Sequence, residues 1–310
     1  MVAFVALIVV GTIGIAEGSP MLKDFAIPTG NSYPEGITTG PDRALWFTEN
    51  LAHQIGRITT AGSITEFPIP RRRSCPLGIT SGPDGALWFT DHCQGRIGRI
   101  TTSGRFTFFQ IPTWQSGPTG ITSGPDGALW FTEAVAGKIG RITTSGSITE
   151  YAVSIGPSDI VTGPDGNLWI AGNSAIGRMT TSGEVTEFPI STPAENITAG
   201  PDGNLWFTEF FAASIGRMST TGELAEFALP TGDGVRIPID ITAGPDGNLW
   251  YTVVGVTPQS IGRITPAGAV TEWPVPIEDS NPYAITAGPD GRVWFTEQYG
   301  NNIAAIRMEG

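Results

Sequence analysis

Apolar and polar positions alternate along this chain in short runs, and the same order of runs returns seven times. One representative unit begins with Gly78-Ile79-Thr80 and turns through Gly82-Pro83-Asp84-Gly85. It then runs into the dense apolar segment Leu87-Trp88-Phe89, crosses a variable stretch and resumes at Ile97-Gly98-Arg99-Ile100. A second turn, Thr101-Thr102-Ser103-Gly104, leads into a last run from Phe106 to Ile111. Runs this short, rich in Ile, Thr, Phe and Trp and punctuated by Gly, Pro, Asp and Asn, predict antiparallel strands joined by hairpins. No stretch sustains a helical period. We name the four strands of each unit a, b, c and d.

The tripeptide Gly-Pro-Asp begins at Gly40, Gly82, Gly124, Gly163, Gly200, Gly244 and Gly288, and a tryptophan follows each of these glycines by six residues. Four strands in about 40 residues, repeated seven times, predict an all-β fold, a seven-bladed β-propeller of four-stranded antiparallel blades. The last unit stops after strand c, whereas residues 21–28 read as an orphan strand d. The ring is therefore expected to be closed by this N-terminal strand, which removes the open sheet edge of a linear array. Residues 21–310 are read as one propeller domain. Residues 1–20 fall outside it, as a secretory leader with an apolar run over 2–15 and the small-x-small site Ala16-Glu17-Gly18, or as a decayed repeat. The run is shorter than the roughly 20 residues of a membrane span.

Length variation is unevenly distributed. From Gly-Pro-Asp to Trp, and from Ile-Gly to the end of strand d, the spacing is fixed. From Gly-Pro-Asp to Ile-Gly it is 15 residues in five units, 13 in the fourth and 17 in the sixth, and the d–a connections vary too. Antiparallel geometry places the b–c and d–a connections on one rim, so all the variation gathers on a single face. Loops that carry function diverge while scaffold hairpins do not, and a small-molecule or peptide ligand is expected there.

Composition narrows the ligand. With 29 acidic and 17 basic residues the net charge is −12, which argues against broad nucleic-acid binding. Strand b ends on the variable rim at Glu49, Asp91, Glu133, Gly172, Glu209, Val253 and Glu297. These carboxylates are expected to ring the channel mouth as a cation site or a polar-ligand surface. Strand a begins there with Glu35, Leu77, Thr119, Ser158, Glu195, Ile239 and Tyr283, and the densest polar cluster is expected across the first and last blades, from Glu35, Glu49, Tyr283 and Glu297. Tyr33, Trp114, Phe210, Phe211 and Tyr299 are candidates for the floor of an apolar or cyclic ligand. Cys75 and Cys93 share one blade and this rim, and a disulfide is expected if the chain is exported. His53 and His92 lie in b–c loops, where Asp91-His92 is a candidate acid–base pair. Arg71-Arg72-Arg73 is read as a solvated turn. The repeated arginines after Ile-Gly, and the tryptophans, are read as structural.

The unit L-W-F-T-E followed by I-G-R-I-T-T-x-G-x-I-T-E-F-P-I-P resembles the virginiamycin B lyase (streptogramin lyase) family from Met21 to Gly310. The resemblance implies a lyase that linearises cyclic depsipeptide antibiotics by elimination, with a histidine base and Mg²⁺ polarising the ester carbonyl. It assigns the base to Tyr283, a second substrate-contacting histidine to Ile239, and the metal carboxylates to Asn281 and Glu297. Three of these four positions depart from the family pattern, and tyrosine, with an ordinary pKa near 10, is a poor base at neutral pH. Three functions stand at this level: a lyase of this family, an exported non-catalytic binding propeller, or another metal-dependent ester- or lactone-directed enzyme. The chain is expected to act as a monomer.

Overall fold

The computed structural model describes residues 7–10, 21–70, 73–230 and 234–307. Seven antiparallel sheets stand around a central channel. The first blade illustrates the plan, with strand a Pro34–Thr39, b Leu45–Glu49, c Gln54–Ile58 and d Ile64–Pro68. The seventh is built from Pro282–Ala287, Val293–Glu297 and Asn302–Arg307, completed by Met21–Ala26, which pairs antiparallel with Asn302–Arg307. The ring closes as the repeat pattern predicts. Leu7–Val10 adds a fifth strand to the fifth blade, parallel to Leu224–Ala228. The proposed leader otherwise lies outside the described residues, as do Arg71 and Arg72. One 3₁₀ turn, His92–Gln94, is the only helical element among the described residues. None of their helices is long and apolar enough to cross a membrane.

Each blade is held internally by its tryptophan. Trp46 is fully buried, stacks on Phe67 of its own strand d at 5.4 Å, and packs against Ile79, Leu87 and Phe89 of the next blade. All seven blades repeat this stack, down to Trp250 on Trp273 and Trp294 on Phe25. Such pairs contribute about 1 kcal/mol beyond the area they bury. The Gly-Pro-Asp aspartate anchors the indole: Trp46 Nε1 donates to Asp42 Oδ1 at 2.9 Å, and Arg57 Nε donates to Asp42 Oδ2 at 2.6 Å. Burial works to raise the Asp42 carboxyl, but the bonds from Trp46 and Arg57 outweigh it and hold the group below the usual carboxylate range. The repeated arginines thus serve the scaffold. The glycine of Ile-Gly-Arg is demanded by packing, since a Cβ on Gly56 would lie 2.1 Å from the Phe47 ring.

Neighbouring blades are joined near the channel by the threonine that precedes the end of strand b. Thr48 Oγ1 donates to Leu77 O at 2.8 Å and accepts from Gly36 N at 2.9 Å. Thr90, Thr132, Thr208, Thr252 and Thr296 make the same bond to Thr119, Ser158, Ile239, Tyr283 and Glu35. The fourth blade has Ala171 at this place, and there Ser158 Oγ bridges forward to Ala194 O at 2.9 Å. The circuit therefore passes through every junction, including the seam between the last blade and the first.

Replacing Thr90 with valine keeps the shape but leaves Thr119 O and Gly78 N without their partner. It is expected to cost about 1–3 kcal/mol, read as a lowered melting temperature by calorimetry. Thr107→Val, at an exposed strand d position, is expected to leave the melting temperature unchanged; equal melting of the two variants would count against the circuit.

Candidate functional site

The channel widens on the face of the b–c and d–a connections into a cavity of about 420 Å³. Its wall is made by the first residues of strand a. In six blades the a–b ladder shifts register there, for example between Pro34 and Ile37 in the first. A bulge of this kind redirects side chains and is frequent beside binding sites. Glu35, Leu77, Thr119, Ser158, Glu195 and Tyr283 all line the cavity, as their shared repeat position predicts. Ile239 is not among the lining residues, and in its blade only the following residue, Asp240, reaches the wall.

Sequence reasoning missed the ring formed by that next position. It holds Gly36, Gly78 and Gly120 in the first three blades and Asp159, Asn196, Asp240 and Ala284 in the rest. In the early blades a side chain there collides with the neighbour, since a Cβ on Gly78 would approach Thr119 O to 2.5 Å. In the later blades the longer side chains staple adjacent blades. Asp159 Oδ2 accepts from Ile197 N at 3.1 Å, Asn196 Nδ2 donates to Ile239 O at 2.7 Å, and Asp240 Oδ2 accepts from Ile285 N at 2.9 Å. The signal was present, as a carboxylate or amide replacing glycine in an otherwise regular repeat.

The cavity is acidic. Burial pushes Glu35 up to about 7, against hydrogen bonds from Tyr283 and Gln298 that favour its charged form. Burial likewise raises Asp159 to about 6 and Asp240 to about 7, against the backbone amides they accept. Burial also raises Glu195. The Tyr283 hydroxyl is driven well above its ordinary value by burial and by the charges of Glu35, Asp240 and Glu195.

The carboxylates that end strand b do not ring the mouth. Glu49, Asp91, Glu133, Glu209 and Glu297 are all fully buried, and none lines the cavity. Strand b is second from the channel, so its last side chain enters the blade and meets strand d instead of solvent. Glu49 lies against Glu66, Glu133 against Glu150 and Glu209 against Glu226, while Glu297 feels Asp24. Burial first, then the facing carboxylate, lifts Glu49 to about 8 and the other three to about 7. Asp91 differs, for it is paired with Arg96 at 2.7 Å and bonded to Ser74 Oγ and Cys75 N. The cluster expected from Glu35, Glu49, Tyr283 and Glu297 is thus reduced to Glu35 and Tyr283.

The remaining candidates decorate the rim. Tyr299 is exposed and its ring meets Tyr33 at 5.8 Å. Tyr33 holds φ at 55°, a conformation uncommon for a bulky residue. Trp114 and Phe211 are exposed, and Phe211 contacts Phe210 at 4.9 Å. His92 Nδ1 lies 3.3 Å from Pro118 O and His53 Nδ1 contacts Ser74 O, so both rings are turned to backbone carbonyls. Asp91 is committed to Arg96 rather than to His92. Cys75 and Cys93 are joined as a disulfide with their Cα atoms 5.3 Å apart.

A divalent cation does not suit the residues at the Asn281–Glu297 position. Asn281 Nδ2 donates to Gln298 Oε1 at 2.6 Å, and Glu297 accepts from Asn302 Nδ2 at 3.2 Å. Glu297 Oε1 lacks a well-directed partner, but so do oxygens of Glu49, Glu133 and Glu209, so the orphan atom marks the repeat and not a metal. Among the described residues no group of three or more His, Cys, Asp or Glu side chains is placed to hold a metal ion.

The chain is thus a seven-bladed propeller with a polar cavity at one mouth of its channel. The model of the virginiamycin B lyase family matches residues 9–156 and 154–310, and the chain belongs to that family. The selenomethionine form of virginiamycin B lyase from Staphylococcus aureus is 37% identical with a TM-score of 0.87, over 94% of this chain and 100% of that one. A catalytically inactive histidine-to-alanine variant of the S. aureus lyase, solved with quinupristin, is 36% identical with a TM-score of 0.87 over the same shares. The extracellular domain of a one-component system from B. thetaiotaomicron, 15% identical with a TM-score of 0.71 over 94% of this chain and 43% of that one, shares the fold alone.

The buried acids make stability depend on pH in a defined direction. Their carboxyls titrate higher when folded than the ordinary value of about 4.3, so the folded state holds the extra protons. Stability is fully present below that ordinary value and is lost as pH rises through about 7 to 8. The melting temperature is expected to fall on the order of 2–5 °C between about pH 5 and 8, with a shallower slope in Glu49→Gln. A flat profile in both proteins would contradict the burial argument.

Proposed function

We propose that this chain is an exported member of its family that binds a small or cyclic ligand at the mouth of its channel, without the histidine- and Mg²⁺-dependent elimination implied for the family. The observation that carries this reading is Tyr283. At the position the resemblance gives to the base, its hydroxyl is held protonated by burial and by the negative charges of Glu35, Asp240 and Glu195, so it supplies less base at neutral pH than even a free tyrosine. No histidine lines the cavity. The Asn281–Glu297 donor set, with Asn281 Nδ2 bonded to Gln298 and Glu297 to Asn302, does not suit Mg²⁺. The rim supports binding: exposed aromatic side chains surround a concave polar mouth on the face whose loops vary in length. The Cys75–Cys93 disulfide supports export.

A second reading, an ester- or lactone-directed enzyme, is favoured by Glu35, a carboxylate lifted to about 7 in the cavity wall and so poised to accept a proton at neutral pH. Turnover of a lactone panel that Glu35→Gln abolishes would support it.

Incubation with a type B streptogramin and Mg²⁺, followed by mass spectrometry, is expected to give no linear product. Calorimetry with the same compound is expected to show binding that Phe211→Ala weakens about tenfold, or about 1.4 kcal/mol. Appearance of the linear product overturns the proposal.

A further inference from the structure

Two features of the variable face remain unexplained by a neutral cyclic ligand. The first is apolar exposure. Leu51, Trp114, Val135, Phe211 and Tyr299 are 59–79% exposed, and all stand on b–c or d–a connections of this face. Val235, at the start of the sixth blade, is also exposed, and the only other large apolar side chain so exposed among the described residues is Met21. These side chains are spread over the loops of several blades, so the apolar surface they offer is distributed around this face. The opposite face is built from Gly-Pro-Asp and Thr-Ser-Gly hairpins, and among the described residues only Met21, where strand d of the last blade begins, exposes a large apolar side chain there.

The second feature is charge. Glu35, Asp159, Glu195 and Asp240 line the cavity beneath this rim, and among the described residues no Lys, Arg or His joins them. The partners of Asp159 and Asp240 are backbone amides, which orient the carboxylates without neutralising them. The Glu195 carboxylate has no hydrogen-bond or ion-pair partner among the described residues, although burial makes its charge costly. A metal ion is a poor match, because the described residues supply no suitable donor group. A protonated amine asks for less: acceptor oxygens on one side, which these carboxylates provide, and an apolar surface for the body that carries it.

Resting on the ligand-binding reading above, we propose that the natural ligand is an amphipathic amine, whose ammonium group enters the cavity between Glu195, Asp159 and Asp240 while its aromatic or aliphatic body lies on the apolar rim. A space of about 420 Å³ is large enough to admit the arm with its ammonium group. The arrangement resembles other recognition sites in which apolar surface provides affinity and a few buried polar groups fix orientation.

Dansylcadaverine tests the proposal, since it joins a naphthalene body to a five-carbon arm ending in a primary amine and reports binding by fluorescence. Its N-acetyl form has the same body and no charge. Saturable binding of the amine is expected, with at least about tenfold weaker binding of the acetyl form, and the affinity should fall as salt screens the charges. It should also fall between about pH 8 and pH 5 as Glu35, Asp159, Glu195 and Asp240 take up protons; Tyr33 and Tyr283, the other titratable groups facing this space, stay neutral throughout. Glu195→Gln, which breaks no bond of the fold, should remove the preference for the amine. Phe211→Ala should weaken both probes and keep the preference. Equal binding of the two probes, binding of neither, or a preference that survives Glu195→Gln overturns the proposal. A neutral type B streptogramin separates this failure from failure of the broader reading: if it binds unchanged while the amine does not, only the amine is excluded, and if it is linearised, the ligand-binding reading falls.

Discussion

The threonine-to-carbonyl bond between successive blades is the constraint on which this molecule turns. It connects the end of one strand b to the first residues of the next strand a, where the ladder shifts register and the side chains turn inward. Each junction therefore fixes a cavity residue as well as a blade angle. The carbonyls that accept these bonds belong to Leu77, Thr119, Ser158, Ile239, Tyr283 and Glu35, so the scaffold reaches the backbone of the site directly. A circuit of this kind tolerates differing side chains at the mouth, because the bond needs only the backbone of the residue that varies.

Blade number, strand order and closure by residues 21–26 were legible in the sequence because they follow from spacing, and spacing survives translation into strands and turns. The face carrying the variable connections was legible for the same reason. Side-chain direction was not. A strand-end carboxylate such as Glu49 reads as solvated, yet its position second from the axis sends it into the blade against Glu66. Conversely, Asp159 and Asp240 sit where the repeat has glycine, and only the register shift reveals that this position faces the channel. Ile239 shares the repeat position of Glu35 and Tyr283 but does not line the cavity, and strand a of its blade, Gly234–Ala243, is longer and carries a second register shift. Tyr283 and Glu35 were placed together correctly because closure of the ring makes the first and last blades adjacent.

Family membership and site chemistry thus carry separate information. The scaffold residues, namely the Gly-Pro-Asp aspartates, the stacked tryptophans and the bridging threonines, keep the repeat intact across all or nearly all blades. The residues that line the mouth vary from blade to blade, as Glu35, Leu77, Thr119, Ser158, Glu195 and Tyr283 do at one repeat position. Such a division is expected of a fold that supports its rim without taking part in what the rim binds.

Closure of the seventh blade by Met21–Ala26 has a consequence for biosynthesis. Glu35 is made early and Tyr283 near the end, yet they form one contact across the seam. During translation the early strand must wait, unpaired, until Asn302–Arg307 has left the ribosome. The cavity at the channel mouth is enclosed only at that last docking step, so a prematurely terminated polypeptide with several well-formed blades lacks it.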